Sequence, residues 1–115
     1  MSEIRITSPL LNVLLALADG ERHGYGIMQE VVAFTNGEVR LAPGTLYGVL
    51  KRMLEAGLVA ESEGPTDVDD DERRRYYRLT ELGRGRLETE LAQTARTMVV
   101  ARRKNVAFPT AAEGA

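Results

Sequence analysis

The chain of 115 residues has no cysteine, no tryptophan and a single histidine, His23. Without cysteine there is no disulfide, no thiol nucleophile and no thiolate zinc site. With one histidine, a metal site built on two histidines of the same chain is excluded. No stretch approaches the roughly 18 consecutive apolar residues of a membrane-spanning helix, and no membrane partner is expected. The N-terminal MSEIRITSPL lacks a basic segment followed by an apolar one, so it does not read as a signal peptide, and a cytoplasmic location is expected. No nucleophile lies beside a base in the sequence and no metal constellation is evident, so neither an enzyme nor a cofactor is expected.

What is present suits one small globular domain with an extension. The composition is 43% hydrophobic and 28% charged, enough for a core but a modest one. The net charge of −2 argues weakly against nucleic acid, yet the charges are segregated. TDVDDDE, Thr66 to Glu72, carries five acids and no base, and RRRYYR, Arg73 to Arg78, carries four bases and no acid. Where the basic run points therefore matters more than the total.

Periodicity and stop signals divide the chain. TSPLLNVLLALADG reads as a first helix with Ser8 as N-cap and Pro9 at its first position. Its leucines are too many for one stripe, so it packs on more than one side. A second helix runs from about Gly24 to Thr35, with Ile27, Val31 and Phe34 on one face and Asn36-Gly37 as its stop. EVRL is expected to be a short extended piece. PGTLYGVLKRMLEAG is a third helix, about 43–56. LVAESE and RRRYYRL read as two strands of a hairpin, with Gly64-Pro65 turning into a long acidic tip at 67–72. That tip lacks the glycine and distal glutamate of an EF-hand loop, so a solvated wing tip is expected rather than a metal site. Thr80 caps a fourth helix reaching about Lys104, on which Leu87, Leu91, Thr94, Met98 and Ala101 form a coiled-coil-like seam.

This order of elements predicts a mainly α fold with a small β hairpin, a winged helix-turn-helix followed by a long C-terminal dimerisation helix. The expected divisions are a DNA-binding domain at 1–79, the dimerisation helix at 80–105 and a tail at 106–115. On the third helix Leu46, Val49, Leu50 and Met53 face one way. Gly44, Gly48, Lys51 and Glu55 face the other, flanked by Tyr47 on one side and Thr45 and Arg52 on the other. In a winged helix this second face meets the DNA major groove. The two glycines allow close backbone approach, Thr45 offers a hydroxyl, Tyr47 reaches a phosphate, and Lys51 and Arg52 supply cations.

The segments HGYGI (His23 to Ile27), LAPGTLYGVLKRMLEAGLV (Leu41 to Val59) and RRRYYRLTELGR (Arg73 to Arg84) together resemble the PadR family of bacterial transcriptional regulators, over roughly residues 8–104. The resemblance implies a homodimer that binds a palindromic operator in double-stranded DNA, usually as a repressor. It implies DNA contacts from Tyr25, Thr45, Tyr47 and Lys51, with Arg73, Arg74 and Arg75 on the wing. Some relatives release DNA when a small aromatic or drug-like effector binds near the dimer interface. This chain departs from the family in having Ala42 where a capping side chain is more usual, and in lacking the tryptophans that sandwich flat drugs in some relatives. From helical phase, an effector site between two fourth helices would be lined by Leu91, Ala95, Met98 and Val99, with the first helix beneath. The competing reading is a winged-helix module for protein–protein interaction without specific DNA binding, to which the low net charge and acidic wing lend some weight.

Overall fold

The computed structural model describes residues 4–64 and 75–108. Helix α1 (Ser8–Ala16) is capped by Thr7 rather than Ser8, without a side-chain cap bond, and carries the proline in its first turn. Pro9 thus falls at the second helical position, where its missing N–H costs no intrahelical bond. Leu10, Val13, Leu14, Ala16 and Leu17 are all buried, as expected of a helix covered on several sides.

The two-residue strand β1 (Arg22–His23) follows, and no periodicity argument could have found so short an element. Arg22 fixes this turn. Its Nε donates to the Ala16 carbonyl at 2.8 Å, and its guanidinium pairs with Asp19 at 3.2 Å and Glu30 at 3.4 Å. Helix α2 (Gly24–Phe34) starts where His23 Nδ1 accepts the Gly26 N–H at 3.0 Å. It ends at Asn36 and Gly37, both at positive φ. Ile27 and Val31 are buried as the spacing predicts, but Phe34, in the last turn, is 41% exposed. The EVRL segment forms no strand; it is the irregular connection into α3.

Helix α3 (Pro43–Glu55) agrees closely with the sequence pattern. Leu46, Val49, Leu50 and Met53 are at most 2% exposed, and Ala42 at the N-cap provides no side-chain bond. Strands β2 (Val59–Ser62) and β3 (Tyr76–Leu79) form the expected hairpin. With β1 they make a three-stranded antiparallel sheet in the order β1-β3-β2, not a two-stranded one. Tyr77 on the central strand is paired with Arg22 on one side and Glu61 on the other, and is buried. Leu58 and Val59 are both buried where the chain leaves α3.

Helix α4 (Glu81–Arg103) is capped by Thr80, whose Oγ1 accepts the Gly83 N–H at 3.0 Å and donates to the Gly57 carbonyl at 2.6 Å. Two arginines tie its first turns to the domain: Arg84 donates to Ala18 O and Arg86 to Ile4 O. Its 23 residues span about 34 Å, and only Gly83 and Leu87 are buried. The core is wholly apolar among the described residues. The outer part of α4 leaves it and runs on without cover.

Candidate nucleic-acid interface

The face of α3 opposite the core is built by helical phase alone. Gly44, Thr45, Tyr47, Gly48, Lys51 and Arg52 are all exposed on it. A Cβ added at Gly44 or Gly48 would meet no atom of the chain within 4 Å. Neither glycine is demanded by packing inside this protein, and Gly48 costs the helix about 1 kcal/mol relative to alanine. Glu55 is also exposed, one turn beyond Lys51 at the far end of α3.

Beside α3, the N-terminus of α2 and the central strand enclose a cleft of about 660 Å³ lined by His23, Gly24, Tyr25, Tyr47, Arg75 and Tyr77. Tyr25 and Tyr47 are about half exposed on its walls. The ring of Tyr47 closes over Gly24, where any side chain would collide with it. His23 packs edge-on against Tyr76 at 5.2 Å. Arg75 stands at the mouth and reaches Glu61 across the hairpin at 3.4 Å. Burial pushes the Tyr77 hydroxyl above its usual range; Glu61 adds to this and Arg75 opposes it. The cleft thus combines an arginine with three tyrosines at a helix start, a set able to donate hydrogen bonds to an anion without a metal. Among the described residues no cluster of three or more His, Asp or Glu could hold a metal ion.

A second, more apolar hollow of about 350 Å³ lies on the other side of Tyr25, lined by Met28, Gln29, Val32, Arg40 and Leu41. Gln29 and Arg40 flank the entry to α3 and were missed in the sequence. Arg40 sits on the irregular connection, which no periodicity marks, and Gln29 sits on α2 away from its apolar stripe. His23, Gly24 and Tyr77 were missed as site residues for a similar reason: the sheet that brings them to Tyr47 includes the unpredicted β1.

Of the expected DNA contacts, Tyr25, Tyr47 and Arg75 share the cleft, and Gly44, Thr45, Gly48, Lys51 and Arg52 lie on the adjoining α3 face. Arg73, Arg74 and the acidic tip at 67–72 fall outside the described residues. On α4, Leu87 belongs to the core of its own chain at 3% exposed, whereas Leu91 is 41% exposed. Thr94, Ala95 and Val99 are exposed, and Met98 and Ala101 are half-buried. No described helix is long and apolar enough to cross a membrane.

Three packed helices, a sheet-borne wing and a long following helix define a winged helix-turn-helix protein. The chain belongs to the PadR-like family of transcriptional regulators, which residues 13–89 match. Regulators, not enzymes, make up that family. The chain is 36% identical to the transcriptional regulator Rv3488 of Mycobacterium tuberculosis over 76% of each protein. A PadR family transcription regulator from Clostridium difficile R20291 superposes with a TM-score of 0.70 at 25% identity, covering 84% of this chain and 97% of that one. Bacillus subtilis PadR, solved in complex with operator DNA, superposes with a TM-score of 0.60 over 71% of this chain and 45% of its own. At 21% identity that likeness speaks to the fold alone.

Proposed function

We propose that the protein is a dimeric, cytoplasmic DNA-binding repressor that occupies a palindromic operator through α3 and the wing. The observation that carries this reading is the exposed face of α3. It keeps two glycines that nothing in the chain requires, next to Tyr47 and Lys51, and it adjoins a cleft whose polar groups are hydrogen-bond donors. A helix backbone bared at Gly44 and Gly48 fits close against a major groove. Thr45, Lys51 and Arg52 then reach base edges or phosphates. Tyr25, Tyr47 and the wing arginines Arg73, Arg74 and Arg75 grip the sugar–phosphate backbone. Membership of a family of transcriptional regulators supports this reading.

In this reading residues 1–79 form the DNA-binding head and 80–105 the dimerisation helix, with 106–115 a tail. Two heads on successive major grooves stand about 34 Å apart. Repression follows from promoter occlusion. A small hydrophobic or aromatic effector, seated at Leu91, Ala95, Met98 and Val99 between two copies of α4, relieves it by reorienting the heads.

The test is binding to the duplex upstream of the protein's own gene, by footprinting and fluorescence anisotropy, beside the double variant Tyr47→Ala, Lys51→Ala. The expected result is protection of a two-fold symmetric site by the unsubstituted protein, lost in the folded variant. The logarithm of affinity should fall with log salt by about 0.9 per phosphate contacted. Equal, weak, salt-insensitive binding by both proteins would favour the protein-interaction module instead.

A further inference from the structure

The sheet brings a base, an acid and a hydroxyl together beside the cleft. Tyr77 on β3 stands directly opposite Glu61 on β2, so their side chains leave the same face of the sheet. Arg75, just before β3, joins them there. Its Nη1 donates to Glu61 Oε1 at 3.4 Å, and it also reaches the Tyr77 hydroxyl. The ring of Tyr77 belongs to the core, yet Tyr77 lines the cleft with Arg75, Tyr25 and Tyr47. Among the described residues that line this cleft none is an acid. Glu61, at its edge, is the carboxylate that Arg75 holds.

This ion pair is open to water: the Arg75 side chain is 77% exposed and that of Glu61 49%. A pair so exposed is held weakly and gives way to another anion that offers more. A phosphate offers more. Its oxygens accept from the same guanidinium N–H groups as a carboxylate does, and it has acceptors left over. Seated in the cleft, it takes the Arg75 guanidinium and the hydroxyls of Tyr77 and Tyr47 at once. Glu61, on the edge strand of the hairpin, satisfies Arg75 alone and leaves the cleft open.

We propose that Arg75 and Tyr77 form a clamp for a backbone phosphate of DNA, and that Glu61 is its internal competitor, holding Arg75 until the phosphate displaces it. This rests on the DNA-binding reading above and adds Tyr77 as a contact and Glu61 as a brake on affinity. The clamp touches phosphate and no base, so the brake acts on every duplex alike, whatever its sequence. Sequence preference stays with α3.

The test is an anisotropy titration of the full chain on a duplex of arbitrary sequence and on the duplex upstream of its own gene. Glu61→Gln keeps the shape of the side chain and removes its charge. The expected result is an affinity about fivefold higher at low salt on both duplexes. The slope of log affinity against log salt should steepen by up to about 0.9, as one more phosphate is neutralised. In an Arg75→Ala background the same substitution should gain less than about twofold, because no arginine is left to release. Tyr77→Phe keeps the ring in the core and removes the donor. It should lower affinity about threefold or more, with a melting temperature at neutral pH close to that of the unsubstituted protein. Unchanged affinity in Glu61→Gln, an equal gain with and without Arg75, or full affinity in Tyr77→Phe overturns the clamp while leaving the DNA-binding reading in place. Absence of DNA binding at low salt by the unsubstituted protein and by every variant overturns that reading and the clamp with it.

Discussion

The ring of Tyr47 on α3 lies against Gly24 at the start of α2, so closely that a Cβ on residue 24 would stand 2.9 Å from Tyr47 Cζ. The absence of a side chain at one position thereby sets the pose of an aromatic on another element. It also joins α3 to the cleft that holds Tyr25 and Arg75. Gly24→Ala should displace the Tyr47 ring outward. Tyr47 is half exposed and has room to move, so the stability loss should be small, about 1 kcal/mol. DNA affinity should fall about tenfold or more. Chemical denaturation beside anisotropy titration separates the two effects, and retention of full affinity would disconnect the Tyr47 pose from binding.

Gly48→Ala should act in the opposite sense on stability. The added methyl meets nothing in the chain, and the helix gains about 0.5–1 kcal/mol, seen as a higher denaturation midpoint. If α3 enters the major groove as proposed, the same methyl intrudes on the duplex and DNA affinity should drop. A variant that is both more stable and equally tight on DNA would remove Gly48 from the interface.

The two glycines early in α4 should behave differently from each other. A Cβ at Gly83 would press on the Leu58 carbonyl, with Leu58 C and Leu79 Cδ1 both at 2.9 Å. Backbone cannot yield as a side-chain tip can, so Gly83→Ala should cost about 1–3 kcal/mol. Gly85, two residues on, meets nothing within 4 Å, and Gly85→Ala should stabilise the folded chain by up to about 1 kcal/mol. Thermal melts of the two variants check the contrast.

Burial raises the Tyr77 hydroxyl above the ordinary value of 10.0. The folded state then holds this proton more tightly than the unfolded chain. Its contribution to stability is intact below pH 10 and is lost as pH rises from there through the folded-state value. Denaturation midpoints between pH 8 and about 11 should fall at the alkaline end, and Tyr77→Phe should flatten that fall relative to the unsubstituted protein.

The sequence by itself determined the pieces that depend on neighbours along the chain. The two faces of α3 are legible because Leu46, Val49, Leu50 and Met53 recur at helical spacing, and all four are buried. Thr80 capped α4 as its position suggested, and the family was legible in motifs whose order and spacing survive in one dimension. Only the tertiary structure decided the rest. Strand β1 exists because β3 offers it an edge, and EVRL is not a strand because nothing pairs with it. Phe34 looked like core by spacing but stands at a helix end, 41% exposed. Leu87, read as part of a seam between subunits, is buried within its own chain, and that seam is uncovered only from Leu91 onward. The cleft is the clearest case. Gly24, Tyr47 and Tyr77 are far apart in the chain and no periodicity links them. They meet because a glycine on one element leaves room for a ring from another, and such complementarity has no signature along a sequence.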